Sequence, residues 1–127
     1  MNGKMVQWIL RISVAGEFIG HGLLAIGGKA DWIKWIGQLI GTSPETSATL
    51  LWWIGAMDVV VALIVLFRPI NAALLWAAFW GFWTALVRPL VGVGWLDFVE
   101  RFANWGAPLA LLLLRAGWPK SLREWFS

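Results

Sequence analysis

Cysteine is absent from this chain, tyrosine is absent too, and histidine occurs once, at position 21. Without cysteine there can be no disulfide, thiol redox chemistry, iron–sulfur ligation or thiolate metal site. Charge is scarce as well. Only 13% of the 127 residues are Asp, Glu, Lys or Arg, against 60% hydrophobic. A soluble domain of this size needs polar helix faces that such a composition does not supply, so the balance points to an integral membrane protein. The sequence offers no glycine-rich phosphate loop, no metal-ligand cluster and no serine–histidine–acid arrangement. A pI near 10.0 would suit nucleic acid, but several basic residues flank apolar runs and read as a topology signal. No nucleic-acid partner is expected.

What the chain does have is long apolar runs and 12 tryptophans. The runs predict an all-α, integral membrane four-helix bundle in a single domain, 1–127. The expected spans are 5–27, 44–67, 70–91 and 96–116, each about the length that crosses a bilayer as a helix. The first run is long, holds Arg11 and Glu17 and lacks a small-x-small cleavage site, so it is expected to be a retained span. Thr42-Ser43-Pro44-Glu45 places a capping hydroxyl before a proline at the first helical position. Arg68-Pro69-Ile70-Asn71 is so short that the second and third spans should form an antiparallel hairpin. Between the first two spans, Trp32, Trp35, Ile36, Leu39 and Ile40 recur at helical spacing beside polar Asp31, Lys34 and Gln38. This pattern predicts an interfacial amphipathic helix over 30–40, acting as a lid or brace.

An even number of spans puts both termini on one side. That side would hold Lys4, Arg68, Arg115, Lys120 and Arg123, and the other Lys29, Lys34, Arg88 and Arg101. The excess of basic residues places both termini in the cytoplasm.

Ionisable groups at membrane depth are costly and mark functional or structural polar clusters. Arg11, Glu17 and His21 lie in the first span and Asp58 in the middle of the second. Glu17 and His21 are one turn apart on one face. Depth counting along the helices groups Arg11, Glu17, His21 and Asp58 as an intramembrane cluster, with Arg11 paired to Asp58. At the outer level Arg88, Glu100, Arg101 and Asn104 form a second expected cluster. Pro108 cannot donate to the Asn104 carbonyl, which adds a freed acceptor there. Interfacial belts account for Trp8, Trp32, Trp35, Trp95 and Trp118. The deeper Trp76, Trp80, Trp83 and Trp105 either pack as core or against another subunit, or wall an aromatic pocket for a flat ligand.

Several of these residues carry a resemblance to a known family. Arg11, Gly16, Phe18, His21-Gly22 and Lys29 form a first motif. Asp58, Arg68, Ala72 and Ala73 form a second, Glu100 a third, and Leu111 to Leu114 with Gly117, Ser121 and Leu122 a fourth. The chain resembles the DoxX/DoxD group of small four-helix bacterial membrane proteins, with Asp58 where glutamate is common in that group. The resemblance implies a multi-pass protein of the bacterial inner membrane. It also implies a subunit that accompanies or stabilises a larger membrane oxidoreductase, such as thiosulfate:quinone oxidoreductase, with other membrane subunits and lipid as partners.

The residues fit that expectation in chemical terms. Quinone reduction moves protons with electrons, and Glu17, His21 and Asp58 could exchange protons beside a ring sandwiched by Trp80, Trp83 or Trp105. The chain holds no electron carrier of its own, so no activity is expected of it alone, and electrons would come from another subunit. No cofactor is expected to be bound covalently. Competing readings are a quinone- or lipid-binding protein with its own proton-exchanging site, and a small carrier or proton path, which would require a homo-oligomer. A haem held by His21 and Met57 is disfavoured, because the two differ in depth and there is no second histidine.

Overall fold

The computed structural model describes residues 3–127, and among these the ordered elements are all helices. They are α1 (Gly3–Ile26), α2 (Ala30–Ile40), α3 (Pro44–Phe67), α4 (Asn71–Leu90), α5 (Trp95–Val99), α6 (Ala103–Ala116) and α7 (Leu122–Trp125). Three of them, α1, α3 and α4, are long and apolar enough to cross a membrane.

Local chemistry sets the boundaries. Ser43 caps α3, its hydroxyl accepting from the Thr46 backbone N–H at 3.2 Å, and Pro44 occupies the first turn, where a missing N–H costs nothing. Pro69 ends α3, and α4 starts after a hairpin of three residues, 68–70. Gly28 and Gly41 flank α2 with φ of 75° and 71°, a left-handed backbone that glycine adopts without steric cost.

Helix α1 lies along α3, α4 along α6, and α1 also meets α6. The α1–α3 seam is close because two glycines face each other. A Cβ on Gly55 would stand 2.6 Å from the Gly22 carbonyl oxygen, and one on Gly22 would stand 2.9 Å from that of Gly55. Small residues at a crossing let backbones approach in this way where no hydrophobic force drives association. Below the seam, Val14, Phe18, Ala62, Val65, Leu74, Ala77, Leu111 and Leu112 form the core. Outside it the surface is apolar: Ile9, Ile12, Leu23, Val60 and Phe79 are all more than half exposed.

The run expected to be a continuous fourth span, 96–116, is broken. Helix α5 stops at Val99, turns occupy 100–102, and α6 starts at Ala103. Phe102, at the N-cap of α6, offers no side-chain cap, and Pro108 lies in the second turn of α6, where it removes one intrahelical bond. The carbonyl this frees, that of Asn104, packs on α4. A Cβ on Gly81 would collide with that oxygen. At about 1.5 Å per residue, α6 alone is about 21 Å long, short of the ~30 Å hydrocarbon thickness.

At one end of the molecule the start of α4 is tied to the end of the chain. The Arg115 guanidinium donates to Asn71 Oδ1 at 2.7 Å, and Asn71 Nδ2 donates to the Glu124 carbonyl at 2.8 Å. Trp118 and Trp125 meet edge to face at 5.2 Å beside this knot.

Candidate functional site

A cavity opens between α1, α3 and α4 and is roofed by α2. It encloses about 770 Å³, counting the space at its mouth. Glu17 and His21 reach it from α1, Asp58 from α3, and Thr84 and Arg88 from α4. Its aromatic walls are Trp32 and Trp35 of α2 and Trp80 and Trp83 of α4. Helical periodicity explains this gathering. Glu17 and His21 share a face, as do Trp80, Thr84 and Arg88, and the apolar stripe of α2 turns down over them.

The polar groups are arranged in levels. Asp58 is 4% exposed, its Oδ1 has no hydrogen-bond partner, and the Trp80 side chain lies beside its carboxyl. Glu17 is within electrostatic reach of Asp58, so two carboxyls face the inner half of the cavity. Arg88 is 6% exposed. Its Nη1 turns back to donate to the Thr84 carbonyl, its guanidinium lies 5.2 Å from the centre of the Trp35 ring, and its Nε has no partner. His21 contacts the edge of Trp32 at 5.7 Å between ring centres. Lys29, at the start of α2, rests 4.6 Å above the same Trp32 ring. These aromatic contacts, together with the 2.6 Å hydrogen bond between the Thr42 and Ser47 hydroxyls, hold the roof on.

Arg11 takes no part in this cavity. The expected ion pair with Asp58 is not formed. Arg11 Nε donates to the Val65 carbonyl at 3.4 Å and its Nη2 to that of Leu66, while the guanidinium stacks 3.8 Å over Trp8. The physical reason lies at the end of α3. The Val65 carbonyl would normally receive the N–H of residue 69, which is proline and has none. The Ile70 N–H that would serve Leu66 donates instead to the Arg68 carbonyl. Arg11 supplies both missing donors, about two turns below the level of Asp58.

The expected outer cluster also separates. Arg101 pairs with its neighbour Glu100 at 2.6 Å and donates to the Asp97 carbonyl at 3.1 Å, near the surface. Arg88 belongs to the cavity instead, although its charge and that of Arg101 both reach His21. Asn104 contributes its backbone carbonyl to the contact with Gly81.

The four deep tryptophans divide likewise. Trp80 and Trp83 line the cavity. Trp76 stacks behind Trp80 at 5.6 Å and 15°. Trp105 sits apart, against Phe82 and Phe102. Trp32 and Trp35, expected as belt residues and as part of the stripe of the amphipathic α2, are cavity walls. The signal for this was the α2 stripe itself, which places both on the helix's buried side.

His21 lines the cavity, whereas Met57 lines the groove beside it. Among the described residues no group of three or more His, Asp or Glu side chains is placed to hold a metal ion. Comparison of the chain with protein-family models, with curated proteins and with solved structures finds no match.

Proposed function

We propose that the chain is a small, DoxX-like, quinone-binding subunit of a bacterial inner-membrane redox complex. In this reading α1, α3 and α4 each cross the membrane and α5 with α6 completes a fourth crossing, giving a four-helix bundle with both termini on the cytoplasmic side. The tie between Asn71, Arg115 and Glu124 supports the fourth crossing, because it returns the chain end to the level where α4 starts.

The observation that carries the functional reading is the pairing of two unpartnered, buried polar atoms, Asp58 Oδ1 and Arg88 Nε, on one tryptophan-walled cavity. Buried polar groups are nearly always satisfied, so an acceptor and a donor left without partners on two residues that line one cavity favour a ligand that completes both. A quinol-type ring answers both, one hydroxyl donating to the Asp58 carboxylate and the opposite oxygen accepting from the Arg88 guanidinium. Trp80, Trp83 and Trp35 supply flat apolar faces for it. Glu17, Asp58 and His21 supply proton-exchanging groups near the ring oxygens. The chain has no electron carrier, so electrons pass between this quinone and a partner subunit, which is the accessory role the family resemblance implies.

Saturable quenching of tryptophan fluorescence by a short-tailed benzoquinone, with the purified full chain in mild detergent, tests the proposal. Arg88→Gln should weaken binding of the quinone, and Asp58→Asn binding of the corresponding quinol, each by at least about tenfold, or ~1.4 kcal/mol. No saturable quenching, or variants that bind as wild type does, would overturn it.

A further inference from the structure

The cavity has an apolar neighbour. A second, open groove runs between α2, α3 and α4, bounded by Ile40, Leu50, Trp53 and Met57 and sharing Ile36, Leu39, Ile54 and Trp83 with the polar cavity. Every side chain lining it is apolar. Ile40 and Trp53 are 62% and 64% exposed, so the groove faces outward, where a bilayer would supply hydrocarbon. Asp58 and Arg88 line the polar cavity, and the apolar groove borders it along α3 from Leu50 to Met57.

The geometry points to one bipartite site for a membrane amphiphile, with its compact head between Asp58 and Arg88 and a single apolar tail in the groove between α2 and α3. The proposal rests on the quinone reading for its head but goes beyond it. It specifies that the ligand is lipid-soluble, that it enters laterally from the bilayer, and that Trp83 and Ile54 form the threshold. A tail in the groove stays in an apolar surrounding throughout, whereas a ligand arriving from the aqueous end would have to carry its tail past the charged groups near His21. The shared wall is what makes the groove a tail path rather than an isolated surface furrow. Its residues contact the head cavity on one side and open groove on the other. Helix α2, bounded by Gly28 and Gly41, overhangs both and would clasp the junction of head and tail.

The test uses a benzoquinone probe with a decyl tail and a diazirine on the tail, applied to the full chain in lipid nanodiscs. After photolysis, peptide mass spectrometry locates the label. Labelling should concentrate on 39–40 and 50–57 and should fall at least tenfold with Leu50→Trp, which fills the groove at a partly exposed position. Quenching by a tail-less benzoquinone should be unchanged in that variant. Head-group quenching with the label spread elsewhere, or unaffected by Leu50→Trp, would refute the groove while leaving the quinone reading intact. Loss of quenching and labelling together in the wild-type protein would refute both.

Discussion

Replacing Arg11 is the sharpest test of how the polar groups are used. Arg11→Met keeps the length and the apolar stem but removes both donors to α3. The Val65 carbonyl then has no replacement, because residue 69 is proline, and the Leu66 carbonyl has lost its usual donor to Arg68. A charged hydrogen bond contributes about 1.5–3 kcal/mol, and an orphaned buried acceptor costs about 1–3 kcal/mol. Arg11 is only partly buried, so water recovers some of this and a net loss of about 2 kcal/mol is expected. Stability would be read from reversible unfolding in mixed micelles. The decisive control is a double-mutant cycle with Asp58→Asn. The two residues sit about two turns apart and share no partner, so their losses should add within about 0.5 kcal/mol. A coupling above about 1 kcal/mol would mean that the guanidinium reaches the carboxylate after all, and would refute the division of the polar groups into a helix-end cap and a separate cavity.

Other perturbations follow from the close approaches. Gly55→Ala and Gly81→Ala each drive a methyl into a backbone carbonyl and should cost about 1–3 kcal/mol; Gly106→Ala, with open space around it, should be neutral or stabilising by up to about 1 kcal/mol. Asn71→Ala removes the acceptor of Arg115 and the donor to Glu124, so limited proteolysis should release the segment after Gly117 faster than in wild type while the rest stays resistant. Ser47→Ala breaks the bond to Thr42 and should loosen the α2 roof, seen as faster amide exchange over 30–40 with little change in α3.

Much of the architecture is legible from local signals. The apolar runs place α1, α3 and α4; Ser43-Pro44 marks the start of α3; and the stripe from Trp32 to Ile40 marks α2. Glu17, His21 and Asp58 line one cavity, and a 3.6-residue period is enough to assign each to a helix face. Partners are harder to read. Arg11 looks like the natural counter-ion for Asp58 when only side chains are counted, yet its acceptors are backbone carbonyls. The clue was available, since Pro69 deprives Val65 of a donor just as Pro108 deprives Asn104. The break at 100–102 has its marker in Asp97, Glu100 and Arg101, charges crowded into the first turns of an otherwise apolar run. The stripe on α2 marks Trp32 and Trp35 as facing the bundle, but that Arg88 meets the Trp35 ring is a long-range contact that periodicity along one helix does not encode.

The central claim is that the tryptophan-walled cavity holds a quinone-class molecule in a protein that works beside an electron-carrying partner. Native mass spectrometry of the chain, extracted from its own membrane in mild detergent, measures this most directly. The account predicts recovery with an electron-carrying subunit and a bound molecule of quinone mass, lost on Arg88→Gln without loss of the fold. Recovery of the chain with no redox partner and an empty cavity would contradict it.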